Sequence, residues 1–143
     1  MRFTHITRQK MKFPTWLKVY GDQKKRGNCP SETAEQITFF NAIRRQYPET
    51  WGSIALHPRN EGKRTYAQAQ REKSEGMTDG APDIVIGDFF CELKRQDHTK
   101  STWQKGQLEY LKAASDCGMF VCVALGWAAA ISAFEDYLNA RSR

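Results

Sequence analysis

No stretch of about 18 consecutive apolar residues occurs in the chain, so no segment reads as a membrane-spanning helix. The opening residues, MRFTHITRQK, carry charge with no apolar run behind them and do not read as a secretory signal. Cys-x-x-Cys pairs are absent. The four cysteines, Cys29, Cys91, Cys117 and Cys122, stand apart, three of them among apolar residues. They read as reduced, buried thiols of a cytoplasmic protein. A zinc site built from them with His5, His57 or His98 lacks ligand spacing. There is no internal repeat and no low-complexity segment. What remains, 143 residues at 40% hydrophobic and 27% charged, excludes a disordered or fibrous chain and suffices for one self-supporting core.

Charge is unevenly spread. Residues 1–30 hold eight Lys or Arg against one acid, Asp22, and the whole chain nets +6. The first thirty residues therefore carry +7 and the remainder −1. Phe3, Phe13, Trp16 and Tyr20 are interleaved with these cations. The segment reads as a basic N-terminal arm ahead of a domain at 31–143. Cations attract phosphates and rings can stack on bases, so the arm suits a polyanion, though a solubilising arm has the same composition.

Ser31 can cap a helix that carries Glu35 near its positive end and Phe39, Ile43 and Tyr47 at helical spacing, closed by Pro48. Trp51–Leu56 reads as a short strand. Residues 57–82 are polar, with a short helix expected over Tyr66–Lys73. Asp83–Ile86 and Phe89–Lys94 read as strands. Ser101 or Thr102 is expected to cap a helix with Leu108 and Leu111 inward, ended by Gly118. Met119–Leu125 is apolar throughout and of strand length, as for a strand buried on both faces. After Gly126 a last helix presents Ile131, Phe134 and Leu138 on one stripe.

The informative stretch is Pro82–Lys94. Gly87-Asp88, with Gly first, suits a type II′ hairpin turn. That turn sets the register: Ile86 opposite Phe89, Val85 opposite Phe90, Ile84 opposite Cys91, and Asp83 opposite Glu92. Opposed residues share a face, and Lys94, two residues past Glu92, shares it too. Two carboxylates and an ammonium thus gather at the end of an apolar hairpin. A hard divalent ion such as Mg²⁺ takes oxygen ligands of this kind; alternatively, Lys94 simply neutralises the pair. Glu32 and Gln36 continue the Phe39–Ile43 stripe with polar groups, and Gln104 heads the Leu108–Leu111 stripe in the same way. Such heads are either fraying helix ends or polar groups converging on the carboxylates.

Asp83 followed by Glu92-Leu93-Lys94 matches the Asp…Glu-x-Lys signature of the PD-(D/E)xK nucleases. With Ser31-Glu32, Glu35-Gln36, His57–Arg64, Lys73, Gly76, Gly80–Ile84, Arg95, Ser101, Gln104, Gly118 and Val121, the chain resembles the small stand-alone phage and bacterial members of the VRR-NUC branch. The resemblance spans residues 31–139 and leaves the arm outside. It departs at Glu61-Gly62, where many relatives carry Gly-Gly.

The resemblance implies an α/β, restriction-endonuclease-like core with a mixed central sheet flanked by helices. It also implies metal-dependent hydrolysis of DNA phosphodiesters with Mg²⁺ or Mn²⁺ and no small-molecule cofactor. Carried over residue by residue, Asp83, Glu92 and the Leu93 carbonyl bind the metal and Glu32 completes the site. Glu35 is the competing helix acid, about 60° round the helix from Glu32 and off the stripe. Lys94 orients the attacking water, Gln104 is the helix glutamine near the site, and Arg59, Lys63, Arg64, Lys73 and Arg95 hold phosphates. Members of this size work as homodimers on branched DNA such as four-way junctions, so a structure-selective endonuclease is the expected form. A non-catalytic binding module using the arm, or an enzyme on another phosphorylated substrate, are the competing readings.

Overall fold

The computed structural model describes residues 11–58 and 65–142. Its centre is a four-stranded mixed sheet in the order β1-β4-β3-β2. The strands are β1 (Lys18–Tyr20), β2 (Ile84–Ile86), β3 (Phe89–Lys94) and β4 (Phe120–Leu125). Strands β1, β4 and β3 run parallel, and β2 is antiparallel to β3. The helices are α1 (Glu32–Gln46), α2 (Trp51–Ile54), α3 (Tyr66–Ser74), α4 (Gln107–Asp116) and α5 (Trp127–Arg141). No helix among the described residues is long and apolar enough to cross a membrane.

Alternation along the strands builds a core on each face of the sheet. On one face Phe89, Cys91, Leu93, Cys122 and Ala124 pack with Phe39 and Ile43 of α1 and Ala130, Phe134 and Tyr137 of α5. On the other, Val121 and Val123 pack with Leu111 and Ala114 of α4 and with Leu17. β4 is covered on both sides, as its unbroken apolar run requires. Helices α1 and α4 therefore lie on opposite faces, not side by side.

Three sequence expectations give way. Trp51–Leu56 is not a strand: Trp51–Ile54 forms α2, and Leu56 contributes one antiparallel bridge to Val85. The Gly52 amide donates to the Tyr47 carbonyl at 2.9 Å, and a side chain at Gly52 would collide with that oxygen. The chain turns there to satisfy the end of α1, and only glycine permits it.

The helix after β3 begins at Gln107, not near Ser101. Ser101 ends a 3₁₀ turn (His98–Lys100), and its hydroxyl is engaged elsewhere. Gly106, at φ +84°, delays the helix by a turn.

The described part of the basic arm, residues 11–30, is built into the fold. Lys18, Val19 and Tyr20 pair with Cys122, Val123 and Ala124, and Met11 and Leu17 are buried. Phe13 and Trp16, read as stacking groups, pack beside Leu17 and Leu111 instead.

Because β1, β3 and β4 are parallel, their C-terminal ends share one edge of the sheet. The starts of α1, α4 and α5 and the residue before β2 meet that edge. Open α/β sheets place ligand sites at such an edge.

Candidate metal and phosphate site

The hairpin places the acids as its turn dictates. Gly87 has φ +61°, Asp88 has no positive φ, and the register pairs Ile84 with Cys91, Val85 with Phe90 and Ile86 with Phe89. One step beyond the ladder, the Asp83 carboxylate accepts the Leu93 amide at 2.9 Å. The Asp83 carbonyl is 2.8 Å from His57 Nδ1, which ties the strand before the hairpin to the polar insert.

Glu92 is the anomaly. It is 0% exposed, and no N–H or hydroxyl donor reaches either carboxylate oxygen; the Asp83 carboxyl is within hydrogen-bonding reach. Burial first, then a carboxyl–carboxyl hydrogen bond with Asp83 and the Asp83 charge, pushes its carboxyl well above the ordinary range; Lys94 offsets part of this, and Glu32 adds to it. A buried carboxyl that no N–H or hydroxyl donor reaches is costly, and native structures rarely keep one without a use.

Lys94, at 1% exposure, shares the Glu92 face. Its ammonium donates to the Thr102 carbonyl at 2.8 Å and to Gln107 Oε1 at 3.0 Å, and lies 5.2 Å from the centre of the Trp103 ring. These bonds go to the loop after β3 and to the first residue of α4, not to either carboxylate, so Lys94 is not a simple counter-ion. An ammonium has three N–H groups, which leaves one for another acceptor.

The glutamine at the site is Gln107, not Gln104. Gln104 is exposed, lies ahead of α4 and gives its backbone amide to Gln107 Oε1 at 2.8 Å. The late helix start puts Gln107, three residues on, against Lys94.

The two acids of α1 divide differently from the sequence reading. Glu35, not Glu32, is the buried one, at 1% exposure and in phase with Phe39, Ala42 and Ile43. It accepts from Gln96 at 2.9 Å and from the Trp127 amide at the start of α5 at 3.4 Å, so its carboxylate is spent on the framework. Glu32 is half-buried and accepts from the Ser101 hydroxyl at 2.7 Å; that hydroxyl in turn accepts the Arg95 amide at 3.0 Å. Its charge bears on Glu92, but its carboxylate is not in a ligand cluster. Among the described residues no group of three or more His, Cys, Asp or Glu side chains is placed to hold a metal ion. The acidic donor set is therefore the pair Asp83 and Glu92.

Arg95 does not reach outward as a phosphate contact. Its guanidinium donates to the Pro30 carbonyl at 3.0 Å and the Cys29 carbonyl at 2.6 Å. Nearby, hydrogen bonds from the Thr99 hydroxyl and the Gly27 amide lower the Asp97 carboxyl to about 2. Lys73 is exposed on α3. Arg59, Lys63 and Arg64 lie outside the described residues. Lys24, Lys25 and Arg26 are exposed on a turn pinned by Gly27 to Asp97, and Lys100 is exposed on the same loop. The four cysteines are free, but only Cys91 and Cys122 are buried; Cys29 is half-buried and Cys117 exposed.

No family model and no curated protein matches the chain. A solved structure described as a "VRR_NUC domain protein" superposes with a TM-score of 0.63 at 22% identity, covering 80% of this chain and 92% of that one. The mixed sheet and its flanking helices are thus those of a restriction-endonuclease-like, VRR_NUC-type fold.

Proposed function

We propose that this protein is a metal-dependent DNA endonuclease that hydrolyses phosphodiester bonds at the Asp83–Glu92–Lys94 edge of the sheet. The observation that carries the reading is Glu92: a fully buried carboxyl that no N–H or hydroxyl donor reaches, beside a second carboxyl and a lysine. The donor chemistry fits Mg²⁺ or Mn²⁺, which bind through one or two carboxylates and fill their other positions with water and substrate phosphate. Asp83, Glu92 and the Leu93 carbonyl would hold the ion. When bound, it would polarise the phosphate and lower the pKa of a water. The shared fold with a VRR_NUC domain protein supports the same chemistry.

The chain's own residues supply the rest. Two of the three Lys94 N–H groups are taken by Thr102 and Gln107, which leaves the third to offset the charge that develops on the phosphoryl oxygens. Asp83 is held by the Leu93 amide and cannot swing away. Water would lose a proton to solvent and add to phosphorus as the bond to the 3′ oxygen breaks, and that oxygen would take a proton from water, giving a 5′-phosphate and a 3′-hydroxyl. Glu32 acts through Ser101 on the loop behind Lys94 rather than as a ligand. Lys24, Lys25, Arg26 and Lys100 join Lys73, Arg59, Lys63 and Arg64 as contacts to flanking phosphates. A homodimer with two sites would cut two strands of a branched DNA.

The test is to incubate linear, flapped and four-way-junction DNA with the protein and Mg²⁺ or Mn²⁺, and to map the product ends. Cuts bearing 5′-phosphates, enriched on the junction, support the reading. Tight binding with no cleavage in either metal makes the protein a binding module instead.

A further inference from the structure

Lys94 is buried, and three neighbours define where its ammonium sits: the Thr102 carbonyl, the Trp103 ring and the Gln107 side chain. Residues 101–106 belong to no helix or strand. A lysine on its flexible stem is only as well placed as the groups that hold it. Besides Ser101's bonds to Glu32 and Arg95, this stretch is held by the segment before α1. Trp103 Nε1 donates to the Lys12 carbonyl at 2.8 Å. The Phe13 ring meets Trp103 edge-on at 6.3 Å and His98 at 5.2 Å. His98 Nε2 lies 3.2 Å from the Gln23 carbonyl, and Gly27 donates to Asp97. Segment 12–30 is therefore stitched along the whole loop that follows Lys94.

We propose that Trp103 is a positioning residue for Lys94, held in place by the Lys12–Phe13 strap. The ring centre lies 5.2 Å from the ammonium, within cation–π range. Its indole N–H spends itself on the strap, so the ring's plane is fixed by chain that lies outside the nuclease-like stretch. The N-terminal segment then contributes to turnover and not only to attraction of DNA. The kinetic consequence rests on the nuclease reading; the placement of Lys94 does not.

The experiment uses the full chain with Trp103→Leu, which removes both ring and N–H, and Trp103→Phe, which keeps a ring. Trp103→Leu is expected to lower kcat by about 10- to 100-fold with KM for DNA little changed, and Trp103→Phe to recover most of it. In the Lys94→Ala background Trp103→Leu should cost nothing more, because the effect runs through Lys94. Independently of cleavage, the ¹H–¹³C signal of the Lys94 ε-methylene, assigned by its loss in Lys94→Arg, should be shifted upfield by the ring. It should stay so in Trp103→Phe and move to the exposed-lysine position in Trp103→Leu. If Trp103→Leu does not fold, Phe13→Ala, which withdraws the ring's support without touching Lys94, should move both readouts in the same direction. An exposed-lysine position in the unaltered protein overturns the proposal, as does an equal loss in the Lys94→Ala background. An upfield signal in a protein that cuts no DNA removes the nuclease reading and leaves the positioning intact.

Discussion

Asp83 and Glu92 face each other at the end of one hairpin, yet only Asp83 has an amide donor: it takes the Leu93 amide at 2.9 Å, while Glu92 takes none. The pair is asymmetric in a useful way. One carboxylate is half-exposed and accepts a backbone amide, the other is fully buried and accepts none.

The first prediction concerns chemistry. Lys94→Ala should reduce cleavage by about 10²–10³-fold, the usual cost of removing one group that stabilises developing charge. Asp83→Asn should abolish it. Both variants should still bind DNA, measured by fluorescence anisotropy in EDTA.

The second concerns stability. Ionising Glu92 in its buried position is unfavourable, so the native state holds that proton more tightly than the unfolded chain does. Stability contributed at this site is present below the ordinary carboxyl value near 4.5 and falls as pH rises above it towards the raised native value. Glu92→Gln should therefore melt higher than the unaltered protein at pH 7–8, with the gap closing as pH falls towards 4.5. Thermal melts across that range check the sign, and Mg²⁺ should raise the melting temperature of the unaltered protein alone.

The third separates the acids of α1. Glu35→Ala leaves Gln96 and the Trp127 amide without their acceptor and should cost about 2–3 kcal/mol of stability, read from denaturant melts. Glu32→Gln should leave the melt nearly unchanged and lower kcat, because its partner Ser101 sits in the loop behind Lys94.

The fourth concerns the strap. Asp97 sits below its usual value of 3.8, at about 2, so its contribution is present above pH 4 and lost as pH falls through 2. Asp97→Asn should lower the melting temperature at pH 7, and the difference should vanish near pH 2.

The fifth concerns DNA contacts. Neutralising Lys24, Lys25 and Arg26 together should flatten the log–log salt dependence of binding by up to about 2.7, at 0.9 per lost phosphate contact. Neutralising Arg44 and Arg45 on α1, away from the site edge, should change it little.

Much of the hairpin was legible because a two-residue turn is a local device: Gly87-Asp88 sets each pairing from Ile86–Phe89 to Ile84–Cys91. The α1 cap was legible for the same reason, since Ser31 accepts the Ala34 amide within one turn. What was not legible depends on distant chain. The pairing of Lys18 with Cys122 has no local signal, because parallel strands are set by a crossover and not by a turn. So a basic, aromatic segment read as an arm, although Phe13, Trp16 and Tyr20 are half-buried against the core. Gln107 was hidden behind Gln104 because the start of α4 is decided by Gly106 and by Ser101 bonding to Glu32 and Arg95. Glu32 and Glu35 differ by one step round the same helix, and only the docking of α5 decides which is buried.

The central claim, that Asp83 and Glu92 hold the divalent ion used for hydrolysis, is tested most directly by a side-by-side assay. The unaltered protein and Glu92→Gln are incubated with a labelled four-way junction in Mg²⁺, in Mn²⁺ and in EDTA, after matched melts show both folded. Cleavage by the unaltered protein in either metal, none in EDTA and none by Glu92→Gln is the predicted result. Undiminished cutting by Glu92→Gln, or by the unaltered protein in EDTA, would contradict it.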